Sequence, residues 1–377
     1  VRVLFFSDTL PPITDGVSHT LTRLVQTLEA SEVDFRFVSA HKPDSSIQWT
    51  DRVRKIPSIA FGLYDYYRVG LPYLQRLGKE LDGFGPDLIH VVSPTPLGVW
   101  GAGYARSRKL PAVTSYHTHF VSYLPYYNLT RFTDLAWSIL RWFHNKFQVT
   151  YVPSPSAREE LNNQGINGIQ LWPRGIDASL FSPSHRSEQL REEQGVGERP
   201  LLVFVGRLVK EKDLDVLVDA CVALEKKGHE FDVALIGDGP MREEIKTKLP
   251  RSILPGFQRG TDLSRWYASG DIFVFPSTTE TFGNVVLEAG ASGLPVVCAK
   301  AGGVGDLVAH GETGLLAAPH SADDYAAKIE VLLRDSELRK QMGEKGREFA
   351  LTHDWHAVNT LLLESYQAII DEWSRKR

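Results

Sequence analysis

The chain has 377 residues, 42% of them hydrophobic and 23% charged, an ordinary globular balance with enough length for two hydrophobic cores. A net charge of −4 lacks the basic footprint that binding to nucleic acid demands, which argues against that class. Only two cysteines occur, Cys221 and Cys298. They stand in neither metal-type nor Cys-x-x-Cys spacing, so a disulfide framework is not expected and a reducing compartment, the cytoplasm, is.

The opening residues, VRVLFFSD, enter a strand pattern at once, without the basic region, apolar core and cleavage site of a secretory signal. Position 1 is Val rather than Met, so whether the N-terminus is native or trimmed stays open. No apolar run approaches the roughly 20 residues needed to span a bilayer, so any membrane contact is expected at the surface. Short apolar runs then alternate with longer amphipathic segments, the pattern of parallel βαβ units and an α/β fold. The first half predicts strands at 1–6, 35–38, 88–92, 112–115 and 149–152, with a helix over 20–30. A polar stretch, SPSHRSEQLREEQGVGERP, leads to a second series at 201–205, 233–236, 253–255, 272–275 and 296–298. The domain boundary is placed between residues 182 and 183. Charge divides on the same line, +3 before it and −7 after it. The last segment, DWHAVNTLLLESYQAIIDEW, reads as one long amphipathic helix.

The most informative stretch is DIFVFPSTTETFGNVVLEAGASGLPVV. A buried strand ends at Pro276, a Ser/Thr loop follows, and a helix starts near Gly283. Glu280 lies in the loop at the strand's C-terminal edge, where open α/β sheets bind ligands; Glu288 lies about one and a half turns into the helix. Carboxylates so placed can hold hydroxyls at opposite ends of an extended ligand, while the backbone N–H groups around Gly283, Asn284 and Val285 face an anion. Taken alone, Glu280 also reads as loop decoration and Glu288 as a surface residue. However, Glu288 stands among Val285, Val286, Leu287 and Ala289, and a buried carboxylate needs a partner.

In VGRLVKEKD a buried strand ends at Gly206 and delivers Arg207 and Lys212 around a turn. Two cations at a strand end can grip a pyrophosphate, or be surface charges beside Glu211 and Asp213. In LIGDGP, Gly237 and Gly239 permit close backbone approach. Asp213 and Asp215 read as decoration of a helix N-terminus.

In the first half, FFSDTLPPITDGVSHT places Gly16 at a helix start, either a phosphate approach or a plain turn. The full G-x-G-x-x-G fingerprint is absent, which argues against a dinucleotide dehydrogenase. VTSYHTHF presents His117 and His119 on one alternating side after a buried strand; no third ligand at a recognisable spacing supports a metal site. Two further stretches are aromatic and basic, KIPSIAFGLYDYYRVGLPYLQRLGK and RFTDLAWSILRWFHNKF. In the second, Trp137, Leu140, Phe143 and Phe147 recur at helical spacing, with Arg131, Arg141 and Lys146 nearby. Such a stripe is usually core, and the functional reading is an acceptor site or an anionic membrane contact.

On these residues the chain resembles family four of the glycosyltransferases over essentially its whole length. ETFGNVVLE, GRLVKEKD, IGDGP and SGLPVV occur in that family's order and spacing. The resemblance implies the GT-B fold, two Rossmann-like domains whose parallel sheets face an inter-domain crevice. Residues 1–182 would bind acceptor, joined by a last helix at 355–377 crossing back, and 183–354 would bind donor. It also implies retaining transfer without a metal or cofactor. Carried onto this chain, Glu280 would contact the donor sugar, Glu288 the ribose, and Arg207 with Lys212 the diphosphate. Gly16 would lie against the phosphates, His117 beside the sugar, and Gly237, Phe282, Gly283, Asn284 and Val285 would complete the donor site. In front-face substitution the leaving phosphate helps deprotonate the acceptor hydroxyl, so groups that stabilise the departing diphosphate do most of the catalysis.

A narrower similarity, on YHTHFVSYLPYY, LWPRGIDASLFSP and YASGDIFVFPS, is to the branch holding sulfoquinovosyl-diacylglycerol synthases and GDP-mannose-dependent mannosyltransferases. The donor loop reads Thr281-Phe282-Gly283-Asn284, where the sulfolipid enzymes are expected to carry Leu-Gly-Phe, and the TDGVSHT loop is more like the mannosyltransferases. The expected reaction moves a sugar from a nucleoside-diphosphate donor, GDP-mannose before UDP-sugars, to a lipid or lipid-linked glycan at the cytoplasmic face of a membrane. The alternatives are a sulfoquinovosyl or glucosyl transferase using a UDP-sugar and diacylglycerol, and a GT-B sugar-nucleotide epimerase.

Overall fold

In the computed structural model, residues 1–13, 15–61, 64–72 and 74–376 are described, without the side chains of 61, 64–67, 74 and 75. Thr14 of the TDGVSHT loop, residues 62, 63 and 73 of the first aromatic stretch, and the final Arg377 of the last predicted helix therefore lie outside the described residues. Contacts divide the chain into two units: Val1–Val121 with Thr130–Arg174 and Trp355–Arg377, and Ser122–Leu129 with Gly175–Asp354.

The first unit is built on β1 (Arg2–Ser7), β2 (Asp34–Ser39), β3 (Val53–Lys55), β6 (Leu88–Val91), β7 (Ala112–Ser115), β8 (Val149–Val152) and β9 (Ile169–Leu171), with the antiparallel pair β4 (Ser58–Phe61) and β5 (Tyr64–Gly70) beside it. The seven-stranded sheet runs in the order β3-β2-β1-β6-β7-β8-β9, all neighbours parallel. Successive side chains of β1 go to opposite faces, Val3 and Phe5 into one core and Leu4 and Phe6 into another. With both faces covered the strand has no polar side, which is why it reads as a continuous apolar run. The last helix, Trp355–Arg375, adds Val358, Leu362, Tyr366 and Ile369 to the core that holds Val3 and Phe5. Buried Asn359 fixes its rotation: it accepts from the Trp172 indole at 3.2 Å and donates to the Thr27 hydroxyl at 3.2 Å.

The second unit carries β10 (Leu201–Val205), β11 (Asp232–Ile236), β12 (Ile253–Gly256), β13 (Ile272–Phe275), β14 (Val296–Ala299) and β15 (Gly314–Ala317). Its parallel sheet is ordered β12-β11-β10-β13-β14-β15. In both sheets the order reverses once, between β1 and β6 and between β10 and β13. In open α/β sheets the crevice beyond the strands' carboxyl ends at such a switch point is where ligands bind.

Two differences from the sequence reading have physical causes. Contacts change unit between Arg174 and Gly175 rather than at 182/183, because the Ile176 N–H donates to the His353 carbonyl at 2.7 Å and Phe181 is buried in the second core. The polar stretch follows the change of unit. Strands β3, β4, β5, β9 and β15 were not anticipated; β3 and β9 have three residues each, and two of the three in each are exposed, so neither carries an apolar run.

Candidate functional site

The loops after β10 and β13, flanking the second switch point, are joined by side chains. Lys212, in the Lys210–Lys212 turn, forms an ion pair with Glu280. Both are largely buried, with 10% and 23% of their side chains exposed, so the pair sits in a poorly solvated place where charge acts strongly. Arg207 is more open and lies 3.4 Å from Glu211. The Glu211 carbonyl accepts from the Thr279 hydroxyl at 3.0 Å. Asp213 is buried in the left-handed region at φ 53, and its Oδ2 accepts from the Thr278 N–H at 3.0 Å and hydroxyl at 2.9 Å. Its Oδ1 takes the Tyr126 hydroxyl at 2.7 Å. Asp213 is therefore no helix decoration: it ties the Lys212 turn to the Glu280 loop. Asp215 stays in the first turn of Leu214–Lys226.

Glycines let these loops meet backbone to backbone. Gly237 has φ +145, and a Cβ there would fall 1.9 Å from the Gly206 carbonyl oxygen. The turn beyond it is held by Leu208 N–H to the Asp238 carbonyl at 2.9 Å and Met241 N–H to the Leu208 carbonyl at 3.0 Å. Across the sheet, Gly303 donates to the Glu280 carbonyl at 2.8 Å, and a Cβ on it would meet the Thr281 carbonyl oxygen at 2.4 Å. Sequence reasoning missed Gly302 and Gly303; the available signal was a Gly pair just beyond the end of the buried strand Val296–Ala299.

Gly283, at φ +96, precedes the helix Asn284–Ala291 and supplies no capping side chain. The first-turn N–H groups, Asn284 and Val285 among them, thus have no side-chain cap, the arrangement that receives anions. Phe282 is buried in the second core, so it contributes backbone rather than its ring. Glu288 finds the partner its apolar neighbours require: its Oε2 accepts from the Tyr267 hydroxyl at 2.8 Å. Desolvation pushes the carboxyl up to about 7, against the lowering effect of that hydrogen bond.

In the first unit, Gly16 opens the helix Gly16–Ala30, whose N-terminus is already capped by Asp15, accepting from the Ser18 N–H at 2.7 Å. His117 follows β7, and its Nδ1 lies 2.8 Å from the Arg174 guanidinium. A guanidinium only donates, so Nδ1 accepts and Nε2 carries the ring proton. Burial, then the Arg174 charge and then His90, hold this imidazole well below its usual range, so it is neutral. His119 instead lies 3.1 Å from Glu160. At the first switch point, buried Asp8 joins the two loops, accepting from the Gly70 N–H at 2.7 Å and from the Thr95 hydroxyl; burial pushes it up to about 6. Among the described residues no group of three or more His, Cys, Asp or Glu is placed to hold a metal ion.

The predicted residues thus fall into a second-unit set of Arg207, Lys212, Gly237, Glu280, Phe282, Gly283, Asn284, Val285 and Glu288, and a first-unit pair, Gly16 and His117. Within the second unit Lys212 and Glu280 are in direct contact. Residues 14–180 match the profile of Glycosyltransferase Family 4, and residues 186–349 that of Glycosyl transferases group 1. The chain is 32% identical to a GDP-mannose-dependent alpha-mannosyltransferase of Mycolicibacterium smegmatis, over 98% of each chain. It is 38% identical to the sulfoquinovosyl transferase SQD2 of Arabidopsis thaliana, over 86% of this chain and 65% of that one, so it spans just under two thirds of that relative. A sucrose-phosphate synthase from Thermosynechococcus elongatus shares the fold at 21% identity, with a TM-score of 0.80 over 98% of this chain and 99% of that one. The chain belongs to glycosyltransferase family four, has the GT-B fold, and is a hexosyltransferase.

Proposed function

We propose that the protein moves mannose from GDP-mannose to a hydroxyl of a lipid or lipid-linked glycan, with retention and without a metal ion or cofactor. The observation that carries the donor side is the Lys212–Glu280 pair, which brings a cation and a carboxylate together at the second sheet's switch point. Lys212 and Arg207 would meet the charge that grows on the departing diphosphate. Glu280 would turn from Lys212 to the sugar hydroxyls, Glu288 would accept from the ribose, and the uncapped helix start after Gly283 would face phosphate. Gly16 would let the chain pass close to the phosphates, and neutral His117 would offer its Nε2 proton to a sugar or acceptor oxygen. The diphosphate oxygen would take the acceptor proton as the new glycosidic bond replaces the bond to phosphate.

The choice of GDP-mannose rests on extent: three GDP-mannose-dependent relatives align over 98% of this chain and over 98%, 89% and 97% of their own. Sulfoquinovosyl transfer, for which the donor would be a UDP-sugar, is the second reading; the higher identity to the sulfoquinovosyl transferase SQD2 supports the sugar. A thermal-shift panel of GDP, UDP, ADP and their sugars decides between them, since a ligand of the native state raises its melting temperature. GDP-mannose should give the largest rise; a rise with UDP-sugars alone would overturn the donor. Product formed from donor without any acceptor would expose an epimerase or hydrolase instead.

A further inference from the structure

The helix Thr133–His144 has two apolar faces with opposite fates. Trp137, Leu140 and Phe143, with Phe147 beyond the helix end, are buried, as their helical spacing predicts. On the other face Leu135, Ile139 and Trp142 are 57%, 51% and 53% exposed, with Phe132 40% exposed just ahead of them. A solvent-facing helix surface ordinarily carries polar residues there, and exposed apolar side chains grouped together mark an interaction site. Cations frame the group: the Arg131 guanidinium lies 4.7 Å from the Phe132 ring centre and the Lys146 ammonium 3.9 Å from that of Trp142. Arg141 stands on the flank, donating to the Gln164 carbonyl at 2.6 Å. Asp134 is the single acid between residues 131 and 146. Steps of four and three from Leu135 through Ile139 to Trp142 make one stripe along the helix, and Lys146 follows just past its end.

We propose that this outer face docks flat on an anionic lipid surface, with Phe132, Leu135, Ile139 and Trp142 entering the boundary between headgroups and acyl chains and Arg131 and Lys146 meeting lipid phosphates. The inference deepens the lipid-acceptor reading, and its purpose rests on that reading. Charge selects the occupant. A second copy meeting the same face across a two-fold axis would set the Arg131 and Lys146 cations of one copy against those of the other, whereas anionic headgroups neutralise them. The indole of Trp142 suits the interface, where an amphipathic ring is favoured, and the lysine and arginine stems can lie along apolar surface while their charges stay in water.

The test is co-sedimentation of the full chain with vesicles of equal parts phosphatidylglycerol and phosphatidylcholine, and with phosphatidylcholine alone. Binding is expected to the first, much less to the second, and to weaken with salt. Arg131→Ala with Lys146→Ala should weaken binding about thirtyfold, roughly fivefold per cation, and Leu135→Gln with Ile139→Gln and Trp142→Gln at least as much. All five positions are exposed, so both variants should melt at the wild-type temperature, which is measured alongside. Wild-type binding by either variant, equal binding to both vesicles, or a dimer in sedimentation velocity that the triple substitution abolishes would each overturn the proposal. Transfer to detergent-dispersed lipid separates the two readings. If lipid accepts sugar but vesicles are not bound, the docking face falls alone; if vesicles are bound but no lipid accepts sugar, the acceptor reading falls alone.

Discussion

Lys212 and Glu280 neutralise one another in a largely buried place, so each residue is held ready for a ligand that must separate them. Removing either therefore costs more than a contact. Lys212→Ala leaves the Glu280 carboxylate without its cation, and Glu280→Gln removes the acceptor of sugar hydroxyls while keeping the shape. Each should lower kcat/KM for sugar transfer by about 100-fold or more, the size found for a lost charge-stabilising group. The Gln variant keeps the fold but should melt below the wild type, because Lys212 loses its counter-ion in a largely buried place; near-normal turnover in it would remove Glu280 from the site. Glu288 makes a second prediction through its proton. Its carboxyl rises from the ordinary 4.5 to about 7, so the native state holds a proton that the unfolded chain releases. Stability then falls as pH rises from 4.5 to 7, by ~3 kcal/mol at most. Glu288→Gln, which can still accept from Tyr267, should melt higher than the wild type at pH 8 and lose the slope above pH 6. The slope due to Asp8, raised from 3.8 to about 6, should remain below that. An unchanged pH profile would mean the carboxyl is not desolvated.

At the scale of elements, the loops matter through close approach. Gly237 and Gly228 both have positive φ, +145 and +84, but a Cβ on Gly237 strikes the Gly206 carbonyl while Gly228 faces open space. Gly228→Ala measures backbone strain alone, about 1 kcal/mol; Gly237→Ala should cost about 2 kcal/mol more and weaken donor binding. Equal losses in denaturant unfolding would show that the two turns are not packed as described. The same loops explain what the sequence could and could not tell. Strands such as Leu201–Val205 and Ile272–Phe275 were legible because burial on both faces leaves an unbroken apolar run. The acids and cations at their ends were legible from position. The Asp213 tie was not, because its partners Thr278 and Tyr126 are 65 and 87 residues away, and nothing local distinguishes it from an ordinary helix-start acid. Tyr267 and Arg174 escaped notice for the same reason: each matters only through the group it contacts.

At the scale of the whole chain, the final helix is part of the first unit although it follows the second in sequence. Its Tyr366 hydroxyl reaches buried His90, and Val358, Leu362 and Ile369 fill the core beside Val3 and Phe5. A chain ending at Asp354 should therefore lose the cooperative unfolding of the first unit while the second, whose core holds no residue of that helix, keeps its own transition in calorimetry. Two intact transitions would contradict the core as described. The helix was legible from its spacing; its place with the first unit was implied by the family resemblance and is not readable from the spacing itself, since it depends on packing against residues far away in sequence.

The most direct test of the central claim is to supply isotope-labelled GDP-mannose with dispersed membrane lipid and read the product's anomeric signals by NMR, in parallel for the wild type and Glu280→Gln. An α-linked mannolipid from the wild type, with at least 100-fold less from the variant, is the predicted result. A β-linked product, or equal product from both proteins, would contradict the account.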